Sequence, residues 1–186
     1  LMHAAQGGHD LCAHALLENG AAVDATQEDG YTALTFACQN GHDLCAYALL
    51  ENSAAVDTQN LKGFTALMYA AQNGHDLCAH ALLNAGAAVN YAKSNGFTAL
   101  MICSQNGHEW CAREMLRAGA DPNKTRADGW TALMDACYDG HEQVALALIE
   151  AKADLEKQTL KGTTALMFAA QNGHEQVVRT LIENGA

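Results

Sequence analysis

Basic residues are missing from the first third of the chain. Residues 1–61 contain no Lys or Arg but eight Asp and Glu, and all ten basic residues lie from Lys62 onward. The formal net charge of the whole chain is −11. This excess of negative charge opposes binding to the phosphate backbone of nucleic acids and favours a basic partner, although it also serves solubility. We therefore expect no nucleic-acid partner.

Long apolar runs are also missing. No stretch approaches the roughly 18–20 consecutive apolar residues of a membrane-spanning helix, so we expect no insertion into a membrane. No secretory leader is visible at the start of the sequence. Hydrophobic residues make up 49% of the chain, which is ample for burial. Many of them are Ala, which suits helices that approach one another closely.

What the chain has instead is a strict internal repeat. The G-x-T-A-L signature recurs every 33 residues, beginning at Gly30, Gly63, Gly96, Gly129 and Gly162. A Gly-His pair keeps the same step, at His9, His42, His75, His108, His141 and His174. This period indicates stacked units rather than one globular core. We predict a single array over residues 1–186, with incomplete first and last repeats and joins near 26/27, 59/60, 92/93, 125/126 and 158/159.

Each repeat is predicted to form two short helices joined by a tight turn. In residues 63–90, Thr65 is a good N-cap for a first helix, which ends at Gly74. Asp76 follows in the first turn of a second helix, where the helix dipole favours an anion. Apolar residues then recur at helical spacing. The polar connection to the next repeat is typical of a hairpin-type loop.

This pattern resembles the ankyrin repeat, whose signature D-x-x-G-x-T-P-L-H-x-A-A-x-x-G-H is followed by L-L-x-x-G-A-D-V-N. The resemblance covers essentially the whole chain. It implies an all-α fold, an ankyrin-repeat solenoid of stacked antiparallel helix pairs with hairpin-type loops on one edge. In that family the partners are proteins, which usually contact the loop tips and the first helices. The histidine of the Gly-His pair is structural there and closes the turn between the helices.

Two departures from the ankyrin pattern affect how the repeats are held together. The Pro of the signature is Ala in every full repeat, and the first His is replaced by Thr or Met, so we expect more reliance on apolar packing. The Gly that stops the second helix is Ser53 in one repeat and Lys152 in another. A side chain in the left-handed conformation costs roughly 1 kcal/mol, so these positions are predicted to be the weakest joints.

Neither terminal repeat carries the polar outer face that usually caps a solenoid. The apolar residues of its second helix are Leu11, Cys12, Leu16 and Leu17 in the first repeat and Val177, Val178, Leu181 and Ile182 in the last. We therefore expect that the ends continue into further repeats or are covered by a partner.

The seven cysteines are predicted to be reduced and buried. Four of them form one column of the repeat, in which later repeats carry Val: Cys12, Cys45, Cys78 and Cys111. A position that accepts Val is an apolar packing position. Repeats packed about 8–10 Å apart are also too distant for a disulfide, whose Cα atoms lie about 4.4–6.8 Å apart. With no C-x-x-C motif, the chain is expected to be intracellular, most simply cytoplasmic.

We expect no metal site, cofactor or enzymatic activity. His14 and His80 share a column but lie two repeats apart, roughly 16–20 Å, so they cannot share a metal with ligands about 2 Å away. No phosphate-binding G-x-x-x-x-G-K-[ST] motif is present. Asp135 and Asp139, four residues apart, could share a proton, but an exposed acidic face explains them more simply.

Recognition of a protein is the remaining function, and the resemblance places it on the loops and first helices. The residue after the signature Gly is aromatic in four repeats: Tyr31, Phe64, Phe97 and Trp130. Exposed aromatic residues at regular spacing suit hot spots of binding. Packing of each loop against its neighbour explains them equally well. Leu61 and Leu160, in the same loops, would add apolar area.

One repeat differs from the others and is the best candidate for an anchor site. Its residues 128–140 read DGWTALMDACYDG, which places Trp130 and Tyr138 among three acids, Asp128, Asp135 and Asp139. A Lys or Arg of a partner peptide would suit this site through cation–π contact and ion pairing. The basic cluster that precedes it is assigned to a different, solvated face: Arg113, Arg117, Lys124 and Arg126.

A modification site is also implied by the resemblance. Asn90 and Asn123 occupy the V-N position, which resembles targets of asparaginyl hydroxylation. Leu82 precedes Asn90 by the expected eight residues, whereas Met115 precedes Asn123. The same residues are also explained as a simple turn.

Together, these features favour a non-enzymatic protein–protein interaction module that presents a concave, acidic and aromatic surface to a protein or peptide partner with basic side chains. Two alternatives stay open. One is a structural spacer or scaffold subunit of a larger assembly, and the other is a regulatory ankyrin segment of a longer enzyme or channel chain.

Overall fold

The computed structural model describes residues 1–186 and contains twelve helices and no strand, which confirms the all-α class. The first helices of the repeats are α1 (Met2–Gln6), α3 (Ala33–Asn40), α5 (Ala66–Asn73), α7 (Ala99–Asn106), α9 (Ala132–Asp139) and α11 (Ala165–Gln171). The second helices are α2 (Asp10–Glu18), α4 (Asp43–Glu51), α6 (Asp76–Asn84), α8 (Glu109–Arg117), α10 (Glu142–Glu150) and α12 (Glu175–Glu183). None of the twelve is both long and apolar enough to cross a bilayer.

The helices form two compact units, unit 1 (Leu1–Ala88) and unit 2 (Val89–Ala186). In unit 1, the first helices α1, α3 and α5 pack side by side in one layer, and the second helices α2, α4 and α6 pack in another. Unit 2 has the same two layers, built from α7, α9 and α11 and from α8, α10 and α12. Each unit is therefore a solenoid-like stack of helix pairs. The single array and its joins stay a prediction.

The first helices begin and end where their residues predict. The hydroxyl oxygen of Thr65 accepts the backbone N–H of Met68 at 3.4 Å, and the other full repeats have the same Thr N-cap. Gly74 ends α5 in the left-handed conformation, with φ of 68°. The N-cap satisfies a backbone donor that the helix itself leaves unpaired, and Gly adopts this stop without a Cβ clash.

Two second helices end without glycine, as predicted. Ser53 follows α4 with φ of 64°, and Lys152 follows α10 with φ of 66°. They are the only residues other than Gly with positive φ in the chain. The left-handed strain expected from the sequence is therefore present at both helix ends.

The core lies between the two layers of each unit and consists mainly of Ala, Leu, Met and Cys. The Met residues that replace the ankyrin His are buried in three repeats, at Met68, Met101 and Met134. Six cysteines are buried and all seven are free. The prediction of a buried thiol is wrong for Cys12, which is exposed because α2 packs against a neighbouring repeat on one side only.

The hairpin-type loops are confirmed and are bonded to one another within each unit. The N–H of Gln27 donates to the carbonyl of Tyr31 at 3.0 Å, which closes one hairpin. The N–H of Leu61 donates to the carbonyl of Asp29 at 2.9 Å and joins that hairpin to the next. These bonds hold the loop tips in a fixed position relative to the first helices.

The Gly-His histidines do more than close the turn inside one repeat. The Nε2 of His75 donates to the carbonyl of Gln39 at 3.1 Å, and His42 makes the same bond to Gln6. The equivalent bond of unit 2 joins His141 to the carbonyl of Gln105. Because each acceptor belongs to the preceding repeat, these imidazoles connect neighbouring repeats.

Candidate functional site

The aromatic loop residues of unit 1 are half-buried and packed, which is one of the two explanations that the sequence left open. Tyr31 stacks on Phe36 of its own repeat with ring centroids 5.0 Å apart, and it lies 5.5 Å from Tyr69 of the next repeat. The hydroxyls of Tyr31 and Tyr69 are hydrogen-bonded to each other. Phe64 also packs on Tyr69, at 5.0 Å. These rings cover one another because the loop folds back over the first helices.

In unit 2, the side chain of Arg126 lies against the aromatic loop residues of two neighbouring repeats, Phe97 and Trp130. The guanidinium of Arg126 lies 4.3 Å from the centroid of Phe97 and 4.8 Å from that of Trp130. Both distances are within the range of cation–π attraction. The assignment of Arg126 to a different, solvated face is therefore wrong. Phe97 and Trp130 are half-buried partly because this side chain covers them.

Asp135 faces the same arginine from inside the first-helix layer. Its Oδ1 lies 3.3 Å from Nη1 of Arg126, and Oδ1 of Asp128 lies 3.4 Å from the Nε. Asp135 is only 2% exposed, so the expectation of an exposed acidic face is wrong for this residue. It occupies the α9 position that is Phe, Tyr or Ile in α3, α5, α7 and α11, and in α3, α5 and α7 that side chain is buried.

The buried carboxyl has an unusual proton affinity. Burial raises the pKa of Asp135 from 3.8 to about 7, because ionisation in a poorly solvated site is unfavourable. The charge of Arg126 opposes this rise, whereas the charges of Asp139 and Asp128 add to it. The Oδ2 of Asp135 and the Nε of Arg126 have no hydrogen-bond partner. The ion pair therefore leaves part of both groups unsatisfied.

Three aromatic rings remain partly open to solvent beside this ion pair. Trp130 packs on Phe168 of the next repeat at 4.3 Å, and Tyr138 lies edge-on to both rings at 5.5 and 5.8 Å. Tyr138 is 44% exposed. We define the anchor surface as Trp130, Tyr138 and Phe168 with the exposed carboxylates of Asp128 and Asp139.

The backbone under the anchor surface is held firmly. The carbonyl of Tyr138 accepts two hydrogen bonds from the following repeat, from Nδ2 of Asn172 at 2.8 Å and from Nε2 of His174 at 2.9 Å. The N–H of Leu160 donates to the carbonyl of Asp128 at 3.0 Å. Leu160 itself is 82% exposed, so it adds apolar area next to the anchor surface as expected.

Sequence reasoning missed two members of this cluster, Phe168 and Arg126. Phe168 lies one repeat after Asp135 in the first-helix column that is otherwise aromatic or Ile, and neighbouring first helices pack side by side. That column was the signal that could have placed Phe168 next to Trp130. Nothing in the sequence signals that Arg126 turns toward the rings, because its direction depends on the fold of the hairpin.

The two aspartates considered for proton sharing, Asp135 and Asp139, differ in their burial. No group of three or more His, Cys, Asp or Glu side chains is placed to hold a metal ion. Asp139 is exposed while Asp135 is buried, and burial is the main cause of the raised pKa. The two carboxyls therefore occupy different environments rather than a shared catalytic site.

The asparagines considered for hydroxylation have a structural role. The Nδ2 of Asn90 donates to the carbonyl of Gly119, and its Oδ1 accepts the N–H of Asp121, both at 2.8 Å. Asn123 makes the corresponding pair of bonds with the repeat that follows it. Both amides therefore connect neighbouring repeats. Hydroxylation stays a prediction.

Comparison with known protein families gives one match. The model for ankyrin repeats fits three overlapping parts of the chain, residues 1–93, 45–126 and 100–186, which together cover its whole length. The comparison with curated proteins found no significant match.

Proposed function

The chain belongs to the ankyrin-repeat family, whose repeats are generally protein–protein interaction modules, and from this premise we propose that it is a non-enzymatic module that binds a protein or peptide partner. We place the contact on the hairpin tips and first helices, with the anchor surface of unit 2 as its centre. Free thiols at all seven cysteines support a reducing, intracellular location for this binding.

The observation that carries the proposal is the partly open aromatic cluster. Trp130, Tyr138 and Phe168 contact one another, yet Tyr138 keeps 44% of its surface exposed. Large aromatic side chains on a rigid backbone bind partners at low cost in conformational entropy. Asp128 and Asp139 beside them favour a partner residue with a positive charge.

The chain's own Arg126 narrows what the partner can contact. One contact of Trp130 is already taken by this guanidinium, and Asp135 is paired with it below the surface. The partner is therefore left with the rings of Tyr138 and Phe168, the side chain of Leu160 beside them and the exposed carboxylates of Asp128 and Asp139. This combination suits a segment with an apolar residue next to Lys or Arg.

The repeats themselves supply a variant that removes the anchor surface without a foreign residue. The position of Tyr138 is Gln in the five other repeats, and that of Asp139 is Asn in four of them. Tyr138→Gln/Asp139→Asn therefore restores the common Q-N-G turn. We would compare the proteins captured from a native extract by the wild-type chain and by this variant. The proposal expects a specific partner that the wild type captures and the variant loses.

A matched variant separates this site from the rest of the surface. Gln72→Tyr/Asn73→Asp changes the same two positions in the opposite direction, in unit 1, where no Trp stands beside them. It should capture what the wild type captures. Thermal melts must show that both variants are folded. If the anchor variant captures the same proteins as the wild type, the proposal is wrong, and the spacer or regulatory alternatives gain support.

A further inference from the structure

The second helices of unit 1 each expose one leucine at the same position. Leu11, Leu44 and Leu77 are the second residues of α2, α4 and α6 and follow one another at steps of 33 residues. They are 78%, 59% and 55% exposed. Three large apolar side chains in neighbouring helices of one layer form a row, which we call the leucine stripe. Such a row is unusual on a free surface.

Shallow grooves separate the members of the leucine stripe. The groove between the starts of α2 and α4 has a volume of about 90 Å³ and is lined by Asp10, Asp43 and Leu44 among others. The groove between α4 and α6 has a volume of about 220 Å³, and Asp43, Asp76 and Leu77 are among its lining residues. Each groove thus combines one leucine with two carboxylates.

The charge around the leucine stripe has one sign. Unit 1 contains nine Asp and Glu and a single basic residue, Lys62, which lies in a hairpin loop rather than in a helix. Glu18 and Glu51, at the ends of α2 and α4, are exposed. No helix of unit 1 carries Lys or Arg. A partner that covers the apolar row therefore meets an excess of negative charge and is favoured if it is basic.

Unit 2 does not continue the leucine stripe. The same column holds Trp110, then Gln143 and Gln176. Its second helices also carry arginines that are already paired, since Arg113 bonds to Glu109 at 2.8 Å and to Glu150 at 2.7 Å. Gln at this position is therefore compatible with the fold, and the apolar row is a property of unit 1.

We propose that the leucine stripe, with Asp10, Asp43 and Asp76, is a second docking surface that binds a basic amphipathic helix of a partner protein. It lies on second helices and is separate from the anchor surface of unit 2. It does not depend on the function proposed above.

The spacing of the stripe selects a helix as the occupant. Neighbouring packed helices lie about 8–10 Å apart, so the leucines follow one another at about that distance. Residues seven apart in a partner helix lie on the same side about 10.5 Å apart, with little angular drift. Side chains on one face of an extended strand lie about 6.6 or 13 Å apart and fit this spacing poorly.

The test uses a labelled synthetic helix of about 22 residues, three heptads long, with Leu at every seventh position and Lys and Ala elsewhere. Its control peptide has the same composition with the leucines moved off that register. Fluorescence anisotropy would measure binding to the full chain. We expect the registered peptide to bind, and Leu44→Gln/Leu77→Gln to weaken this binding by about tenfold or more.

The matched control is Ile182→Gln, which removes an apolar side chain that is 58% exposed on a second helix without touching the stripe or the hairpin tips. It should bind the registered peptide as the wild type does. The proposal is overturned if both peptides bind equally, or if the stripe variant, shown to be folded by its thermal melt, binds like the wild type. It is also overturned if sedimentation shows a dimer of the chain that the stripe variant abolishes, because a second copy would then be the occupant.

Discussion

At the scale of single residues, the pair of Arg126 and Asp135 makes the stability of the fold depend on pH. Burying a carboxylate is costly, and its pairing with one guanidinium offsets only part of that cost. The pKa of about 7 expresses this balance, since Asp135 holds a proton until near-neutral pH despite the nearby Arg126. The arginine in turn is held by Phe97 and Trp130. A change in the protonation of Asp135 therefore changes the charge that faces Arg126, which packs on Phe97 and Trp130 under the anchor surface.

Replacing Asp135 by Asn should change how stability depends on pH. The folded chain keeps the Asp135 proton between about pH 4 and 7, where the unfolded chain has released it, because the folded pKa is raised from 3.8 to about 7. Stability from this group is thus greatest at acid pH and is lost as the pH rises to 7. Relative to Asp135→Asn, the wild type should lose on the order of 2 kcal/mol between pH 5 and 7.

Urea unfolding at a series of pH values would measure this difference, because other titrating groups are common to both proteins. Asp121→Asn is the matched control, since Asp121 is exposed and its turn bond to the N–H of Asn123 can also be accepted by an amide oxygen. The free energy of unfolding of Asp121→Asn should change with pH in the same way as that of the wild type. A pH-independent difference for Asp135→Asn would show that this carboxyl is ionised throughout the range.

The residues of the candidate site show how far the sequence alone could go. Asp135, Tyr138 and Asp139 stand out because they break the repeat, and the structure brings Tyr138 together with Trp130 of the aromatic column. The repeat predicts positions but not the direction of a long side chain in a hairpin. For that reason Arg126 and the burial of Asp135 could not be predicted from spacing alone.

At the scale of elements, helix ends determine which repeats are strained. Ser53 and Lys152 adopt φ of 64° and 66°, a conformation that costs a residue with a Cβ roughly 1–2 kcal/mol. Gly avoids this cost but loses about 0.5–1 kcal/mol of backbone entropy on folding. Ser53→Gly and Lys152→Gly should therefore each raise the free energy of unfolding by about 0.5–1 kcal/mol.

Denaturant unfolding of the two single variants would measure this gain, and Ser53→Ala provides the comparison. Alanine keeps the Cβ and so the left-handed strain, and it should give no stabilisation. An equal gain from Ala and Gly would mean that removal of the hydroxyl, and not relief of backbone strain, changes the stability.

The glycine before the Gly-His histidine lies against the histidine of the following repeat at four positions, Gly8, Gly41, Gly107 and Gly140. Gly41 has φ of 73°, and a Cβ built on it would lie 2.6 Å from Nδ1 of His75 in the next repeat. Gly86 has a similar φ of 85° but no atom within 4 Å of such a Cβ. Both Gly→Ala variants carry left-handed strain. Only Gly41→Ala should also break the hydrogen bond from His75 to the carbonyl of Gln39, which adds about 1 kcal/mol or more of destabilisation.

The difference between Gly41→Ala and Gly86→Ala in urea unfolding isolates the histidine contact, because the backbone strain is common to both. In a His75→Ala background the extra loss from Gly41→Ala should disappear, since the ring that it meets is gone. If the extra loss persists there, the tight approach of Gly41 to His75 is not its cause.

Helix bounds, caps and stops were predictable because each depends on a few residues near in sequence. The Thr N-caps, the left-handed Gly stops and the two strained exceptions all follow from local backbone chemistry. The contact of each Gly-His histidine with the preceding repeat was not predicted, since it depends on how repeats pack. The exposed Cys12 was missed for the same reason.

At the scale of the whole molecule, the charge is distributed unevenly. Unit 1 has nine acids and one Lys, a formal charge of −8 out of the total of −11, which leaves −3 for unit 2. Charge on one part of a surface raises the rate at which an oppositely charged partner arrives, and salt screens this effect. The position of the charge, and not only its sum, should therefore govern association with a basic partner.

Two charge-neutralising pairs test this idea with the registered basic peptide. Glu18→Gln/Glu51→Gln in unit 1 and Glu156→Gln/Glu183→Gln in unit 2 change the total charge equally, and all four residues are exposed. Stopped-flow mixing at low salt should show association slowed about two- to fivefold by the unit 1 pair and less by the unit 2 pair. In roughly 0.5 M salt the difference should vanish, because the screening length falls below about 5 Å. Equal slowing by the two pairs would mean that net charge alone attracts the peptide, and the concentration of acids in unit 1 would then have no special part in its capture.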